Sequence, residues 1–179
     1  MSNQTRTPTD AATPPARSRW AGGAPPFPGG RPAALGTLAT VVSLVILVAL
    51  GEATGQLLMI APLAATAMII CSTPVLPPAQ PRGVMLGQVG SGVLGLAAVA
   101  LFGRSLWVAA VAAGLSVGLM LLLRAVHAPA AATAVLAVLQ DPAPLRFLVL
   151  LAVGSALLVL VGLIASRLGV IGKYPAYWW

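Results

Sequence analysis

Charge is what this chain has least of. Of 179 residues, ten are Lys or Arg and three are Asp or Glu, a charged fraction of 7%. A soluble protein of this length needs far more charge to solvate its surface. The three acids, Asp10, Glu52 and Asp141, offer no carboxylate pair at a spacing useful for acid–base catalysis. Cys71 is the only cysteine and His127 the only histidine, which excludes an intramolecular disulfide and any Cys/His metal cluster. No glycine-rich loop precedes a lysine, and the stretch Gly87–Gly92 lies within an apolar run where glycines serve packing. The inventory of acids, bases and nucleophiles is nearly empty, so no enzyme, metal or cofactor is expected. Aromatics are scarce at 5%, and runs such as Val41–Leu47 lack the alternation of barrel strands. The net charge of +7 forms no cluster or stripe, which argues against nucleic acid as a partner.

What the chain does have is long greasy runs. Charge-free stretches cover residues 32–51, 53–81, 83–103, 105–123, 125–140 and 147–166, and the mean hydropathy is +0.97. About 20 apolar residues in a helix cross the hydrocarbon core of a bilayer. The expected class is therefore an all-α membrane protein embedded in a lipid bilayer. Residues 1–34, rich in Pro, Thr, Gly and Arg, cannot bury enough apolar surface to offset ordering and read as a disordered cytoplasmic tail. The transmembrane domain is expected over 35–179.

The chain also matches itself. Ala61–Ala67 returns 67 residues later as Ala128–Ala134, with Pro62 matching Pro129 and Thr66 matching Thr133. An offset of 64 then pairs Pro78 with Pro142, Arg82 with Arg146, and Val89–Ser91 with Val153–Ser155. Each half reads as a long helix, a short Pro-led helix, a Pro-rich turn and another long helix. From Pro129 to Leu139 is only about 16 Å of helix, too little to span alone. Such half-helices line cavities as re-entrant or broken segments. Four spans with two re-entrant helices are expected, with six spans as the alternative. Both arrangements place the termini in the cytoplasm, and the inner membrane of a bacterium is the expected location.

The candidate site follows from the half-helices. His127 precedes Pro129 at a helix start, where free amides and the dipole favour an anion. Thr66 and Thr133 are repeat-equivalent hydroxyls able to line a pathway. Gln80 and Arg82 stand in the polar turn as anion-attracting groups, and Arg146 repeats Arg82. Glu52 and Gln88 are further polar residues among the apolar runs. Gly83, Gly87, Ser91 and Gly95, like Ala110, Gly114 and Gly118, recur every four residues and let helices approach closely, within the chain or between copies. A homo-oligomer is expected. The ending Tyr174–Trp179 reads as an interfacial anchor.

The stretches Pro77–Val84, His127–Ala134 and Tyr174–Trp179 together resemble the HPP family of integral membrane proteins, over residues 35–179 and in the family's order. The resemblance implies a four-helix transmembrane domain, and nitrite transport has been assigned to plastid and cyanobacterial members. The namesake His-Pro-Pro reads His127-Ala128-Pro129 here. Gln88 stands where family members often carry a histidine. The expected function is a small membrane transporter or channel for an inorganic anion such as nitrite. The alternative is a structural or assembly subunit that transports nothing.

Overall fold

The computed structural model describes residues 26–55 and 60–178. Its helices are α1 (Gly30–Thr54), α2 (Ala61–Ser72), α3 (Pro81–Phe102), α4 (Leu106–Leu122), α5 (Pro129–Gln140) and α6 (Pro144–Arg167), with a short 3-10 turn at Pro77–Ala79. Among the described residues there is no strand. The disordered tail expected over 1–34 falls mostly outside the described residues. Helix α1 opens at Gly30, inside that stretch, with Pro32 in its first turn, where a missing N–H leaves no bond unmade.

Proline starts four of the helices, at Pro62, Pro81, Pro129 and Pro144 in the first or second position. Its fixed φ suits a first turn and its lack of an N–H has no consequence there. Ser105 caps α4 by accepting from the Val108 amide at 3.1 Å. Gly55 ends α1 in the left-handed region at φ 63°. Helices α1, α3 and α6 have the length and apolarity to cross a membrane, and α4 is apolar with 17 residues. The two half-helices, α2 and α5, have 12 residues each. An all-helical membrane protein with long helices and two short ones is the architecture the apolar runs foretold.

Glycine contacts give the packing directions. A Cβ on Gly87 would lie 3.4 Å from Ala130 Cβ, and one on Gly95 would meet Ala137 Cβ, so α3 and α5 run side by side in the same sense. Gly154 packs on Leu63 and Gly162 on Ile70, so α6 and α2 likewise run together. These two pairs are counterparts under the repeat. Gly36 near the start of α1 lies against the Cys71 carbonyl near the end of α2, which makes α1 and α2 antiparallel. On α3, Met85 and Arg82 border the same groove as Ala156, Val159 and Leu160, while Gly92 meets Leu148 and Leu151. The two halves therefore cross antiparallel at α3 and α6. Helix α3 contacts α4, α5 and α6 and is the centre of the bundle.

The seam Gly83–Gly87–Ser91–Gly95 is thus an internal one, facing α5. The second seam differs: Gly114 and Gly118 of α4 are exposed, with nothing within 4 Å of a built Cβ. The two seams should answer oppositely to a methyl group. Gly95→Ala drives its Cβ to 2.6 Å from the Ala134 carbonyl oxygen and should cost about 1–3 kcal/mol by overpacking. Gly114→Ala should be neutral or stabilise by up to about 1 kcal/mol, since it only favours helix. Unfolding of the detergent-solubilised variants in denaturant reads both signs, and an equal response at the two positions would contradict this packing.

Candidate functional site

The half-helices bring their equivalent threonines to one place. Thr66 of α2 and Thr133 of α5 both reach Gln88, the eighth residue of α3. Thr133 Oγ1 donates to Gln88 Oε1. Gln88 Nε2 donates to Thr66 Oγ1 at 3.0 Å and lies 3.4 Å from the Pro62 carbonyl oxygen. His127, from the loop before α5, completes the network, with Nε2 2.8 Å from Thr66 Oγ1 and Nδ1 2.7 Å from the Pro78 carbonyl oxygen. All four side chains are 0% exposed. Gln88 lies about 10 Å along α3 from its start, well inside the bundle.

Counting hydrogens shows what the network can do. A carbonyl oxygen only accepts, so His127 Nδ1 carries a hydrogen and donates it to Pro78. Thr66 has one hydrogen and two acceptors at 2.8 Å, the Pro62 carbonyl oxygen and His127 Nε2. With a neutral imidazole, Thr66 donates to Nε2. With an imidazolium, Nε2 donates to Thr66, which turns its hydrogen to Pro62. One hydroxyl rotation therefore satisfies both protonation states of the ring. The described acids, Glu52 and Asp141, end α1 and α5 and take no part. Every polar side chain in the network is neutral or a potential cation, and none is a carboxylate.

The other expected site residues have different work. Pro129 is buried at the start of α5, and the first-turn amides beyond it are engaged: Ala130 donates to the His127 carbonyl oxygen at 2.9 Å and Ala131 to that of Ala128 at 3.2 Å. In α2, Leu63 and Ala64 both donate to the Ile60 carbonyl oxygen. Gln80 lies apart from the network and is a structural hub. Its Nε2 donates to the Pro74 and Leu76 carbonyl oxygens at 2.8 and 3.0 Å. Its Oε1 accepts from the amides of Ala176 and Tyr177 at 2.8 and 3.3 Å. The C-terminal segment, read as an interfacial anchor, is thereby docked on the turn before α3, with Tyr174 buried. Arg82 donates through Nη2 to the Leu123 carbonyl oxygen at 2.8 Å, where α4 ends and a cation suits the helix dipole.

Gln88 carries more of the site than its sequence position suggested. The signal was present, since it is an uncharged polar residue deep in an apolar helix. What the sequence lacked was the knowledge that α3 faces both half-helices. Ser91 and Ser155, repeat-equivalent and 0% exposed, entered the sequence reading only as repeat and packing residues, and their hydroxyls have no hydrogen-bond partner.

Comparison with known proteins agrees with this architecture. The chain is 32% identical over 124 residues to one transmembrane protein of Dictyostelium discoideum and 33% identical over 125 residues to another. Each match covers 65% of this chain but only 40% and 44% of those proteins, so the chain spans well under half the length of the curated relatives it matches. No solved structure matches it significantly. The HPP transmembrane region matches residues 25–175, which takes in all six helices and the whole buried network. The chain belongs to the HPP family of transmembrane proteins.

Proposed function

We propose that this protein is a small transporter or channel for an inorganic anion, with nitrite as the first solute to test. The observation that carries this reading is the fully buried His127–Thr66–Gln88–Thr133 network at the junction of two inverted half-helices. Polar groups at membrane depth are expensive and are most often kept for a solute or a proton. The network holds hydroxyl, amide and imidazole donors, each engaged internally until a solute exchanges for those partners, and no carboxylate to repel an anion. The paired response of His127 and Thr66 to a proton supports a flux that depends on pH.

We further propose that all six helices cross the bilayer, with the end of the bundle holding the α1 start and α6 end in the cytoplasm. That end carries Arg31, Arg82, Arg124, Arg167 and Lys173, and the other holds Arg104 and Arg146 beside Glu52 and Asp141. The excess of cations favours the cytoplasmic side.

A second reading, a subunit that transports nothing and docks another helix, is supported by the exposed Ala110, Gly114 and Gly118 of α4. It places a homo-oligomer or an assembly partner on that face. Flux separates the two readings. Proteoliposomes holding the wild-type protein should take up nitrite with a pH-dependent rate, and His127→Ala or Thr66→Val should lower it by about tenfold or more, as loss of a buried polar contact does. Equal uptake by wild type and His127→Ala would remove the histidine from the mechanism, and no uptake by any of them would leave the docking reading. For orientation, Leu168→Cys at the end of α6 should react with an impermeant maleimide only from the cytoplasm, and Phe102→Cys at the end of α3 only from outside. Both positions are exposed in the bundle, and labelling from the same side would refute six crossings.

A further inference from the structure

The two repeats are alike in backbone and unlike in chemistry at one pair of places. Beside the network, Gly87 of α3 makes room for His127, whose Cβ lies 2.9 Å from a built Gly87 Cβ, with Ala130 at 3.4 Å. Under the offsets of 64 and 67 residues, the counterparts of Gly87, His127 and Ala130 are Leu151, Ile60 and Leu63. A small residue, a histidine and an alanine have become three large aliphatic side chains. Leu151 and Leu63 are each 1% exposed. Leu151 packs in one cluster with Leu96, Ala137 and Phe147, to which Ile60 and Leu148 add. These residues come from the start of α6, the later turns of α3 and α5, and the approach to α2. The cluster therefore lies on the side of the Thr66–Gln88–Thr133 centre opposite His127.

We propose that Ile60, Phe147 and Leu151 form an apolar gate that shuts the centre from the end of the bundle where α6 begins, on the side opposite His127. The proposal rests on the transport reading and adds a gate to it. A dry apolar constriction stops an anion because the ion cannot shed its water there, and it opens by side-chain movement and wetting. Gly92 is the seat of the gate: Leu151 Cδ1 lies 2.6 Å from where a Gly92 Cβ would stand, so the leucine fills the room that the missing side chain leaves. The two orphan hydroxyls stand close to this point along the chain. Ser91 adjoins Gly92, and Ser155 is one turn from Leu151 on α6. A buried hydroxyl without a partner leaves a hydrogen bond that water can supply. Water that wets the gate would supply the partners they lack.

Accessibility tests the gate separately from transport. In a Cys71→Ser background, Ser91→Cys is exposed to an impermeant methanethiosulfonate reagent added from either face of proteoliposomes. The closed gate should keep labelling slow from the α6-start side. Leu151→Ala should speed it from that side by about tenfold or more, as wetting of a constriction does. Ile60→Ala, at a position half-buried in the bundle, should act in the same direction and covers the case in which Leu151→Ala fails to fold. No acceleration in either folded variant, or equal acceleration from both faces, overturns the gate. Nitrite and chloride uptake, measured on the same vesicles, reads the transport proposal: absent uptake by wild type removes that proposal whatever the labelling shows.

Discussion

The bond that holds the two halves of this molecule in register is the primary amide of Gln88. An amide presents an acceptor and a donor from one rigid plane, and here each goes to a threonine of a different repeat. The direction is dictated by hydrogen supply. Thr66 must accept from Gln88 because its own hydrogen serves Pro62 or His127. Thr133 is then the donor to the amide oxygen. A twofold arrangement of backbones thus becomes, with a neutral ring, a chain of donations from Thr133 through Gln88 and Thr66 to the imidazole, whose Nδ1 donates on to Pro78. In a bilayer such groups cannot turn to water for relief, so their mutual satisfaction is a condition of folding.

Small residues make that chain of bonds reachable. α5 approaches α3 so closely because Gly87 and Gly95 present no side chain to it. A larger residue at Gly87 would meet His127, and one at Gly95 would meet the α5 backbone. Without an aqueous hydrophobic drive between helices, contact of this kind is the main source of cohesion. The arginines at the ends of α3 add to it: Arg82 closes the end of α4, and Arg104 Nη2 donates to the Leu139 carbonyl oxygen near the end of α5 at 2.6 Å.

Much of the architecture was legible in the sequence because lipid imposes one-dimensional rules. Charges at Glu52, Arg82, Arg104, Arg124, Asp141 and Arg146 sit at or near helix ends, and Pro62 and Pro129 begin the half-helices. The matching of Thr66 with Thr133 marked two of the four network residues, and His127 was found as the only imidazole. The partners of Gln80 and Arg82 could not be read, because a polar residue in a turn looks the same whether it meets a solute or a carbonyl. Gln80 bonds the amides of Ala176 and Tyr177, almost a hundred positions away. Partners so distant leave no local pattern. The sense in which α3 crosses α6 was hidden for the same reason, since a repeat tells which segments are alike and not which ones touch.

The parallel pairing of α2 with α6 bears on how the chain is assembled as it leaves the ribosome. A 12-residue helix has little power to insert on its own, and α5 emerges after α3, the helix it lies along. α2 has no such good fortune, because Gly154, which receives Leu63, is made 91 residues after it. Biogenesis therefore leaves the first half-helix without its parallel neighbour until α6 is made, held meanwhile by α1, by Gln88 of α3 and by α5.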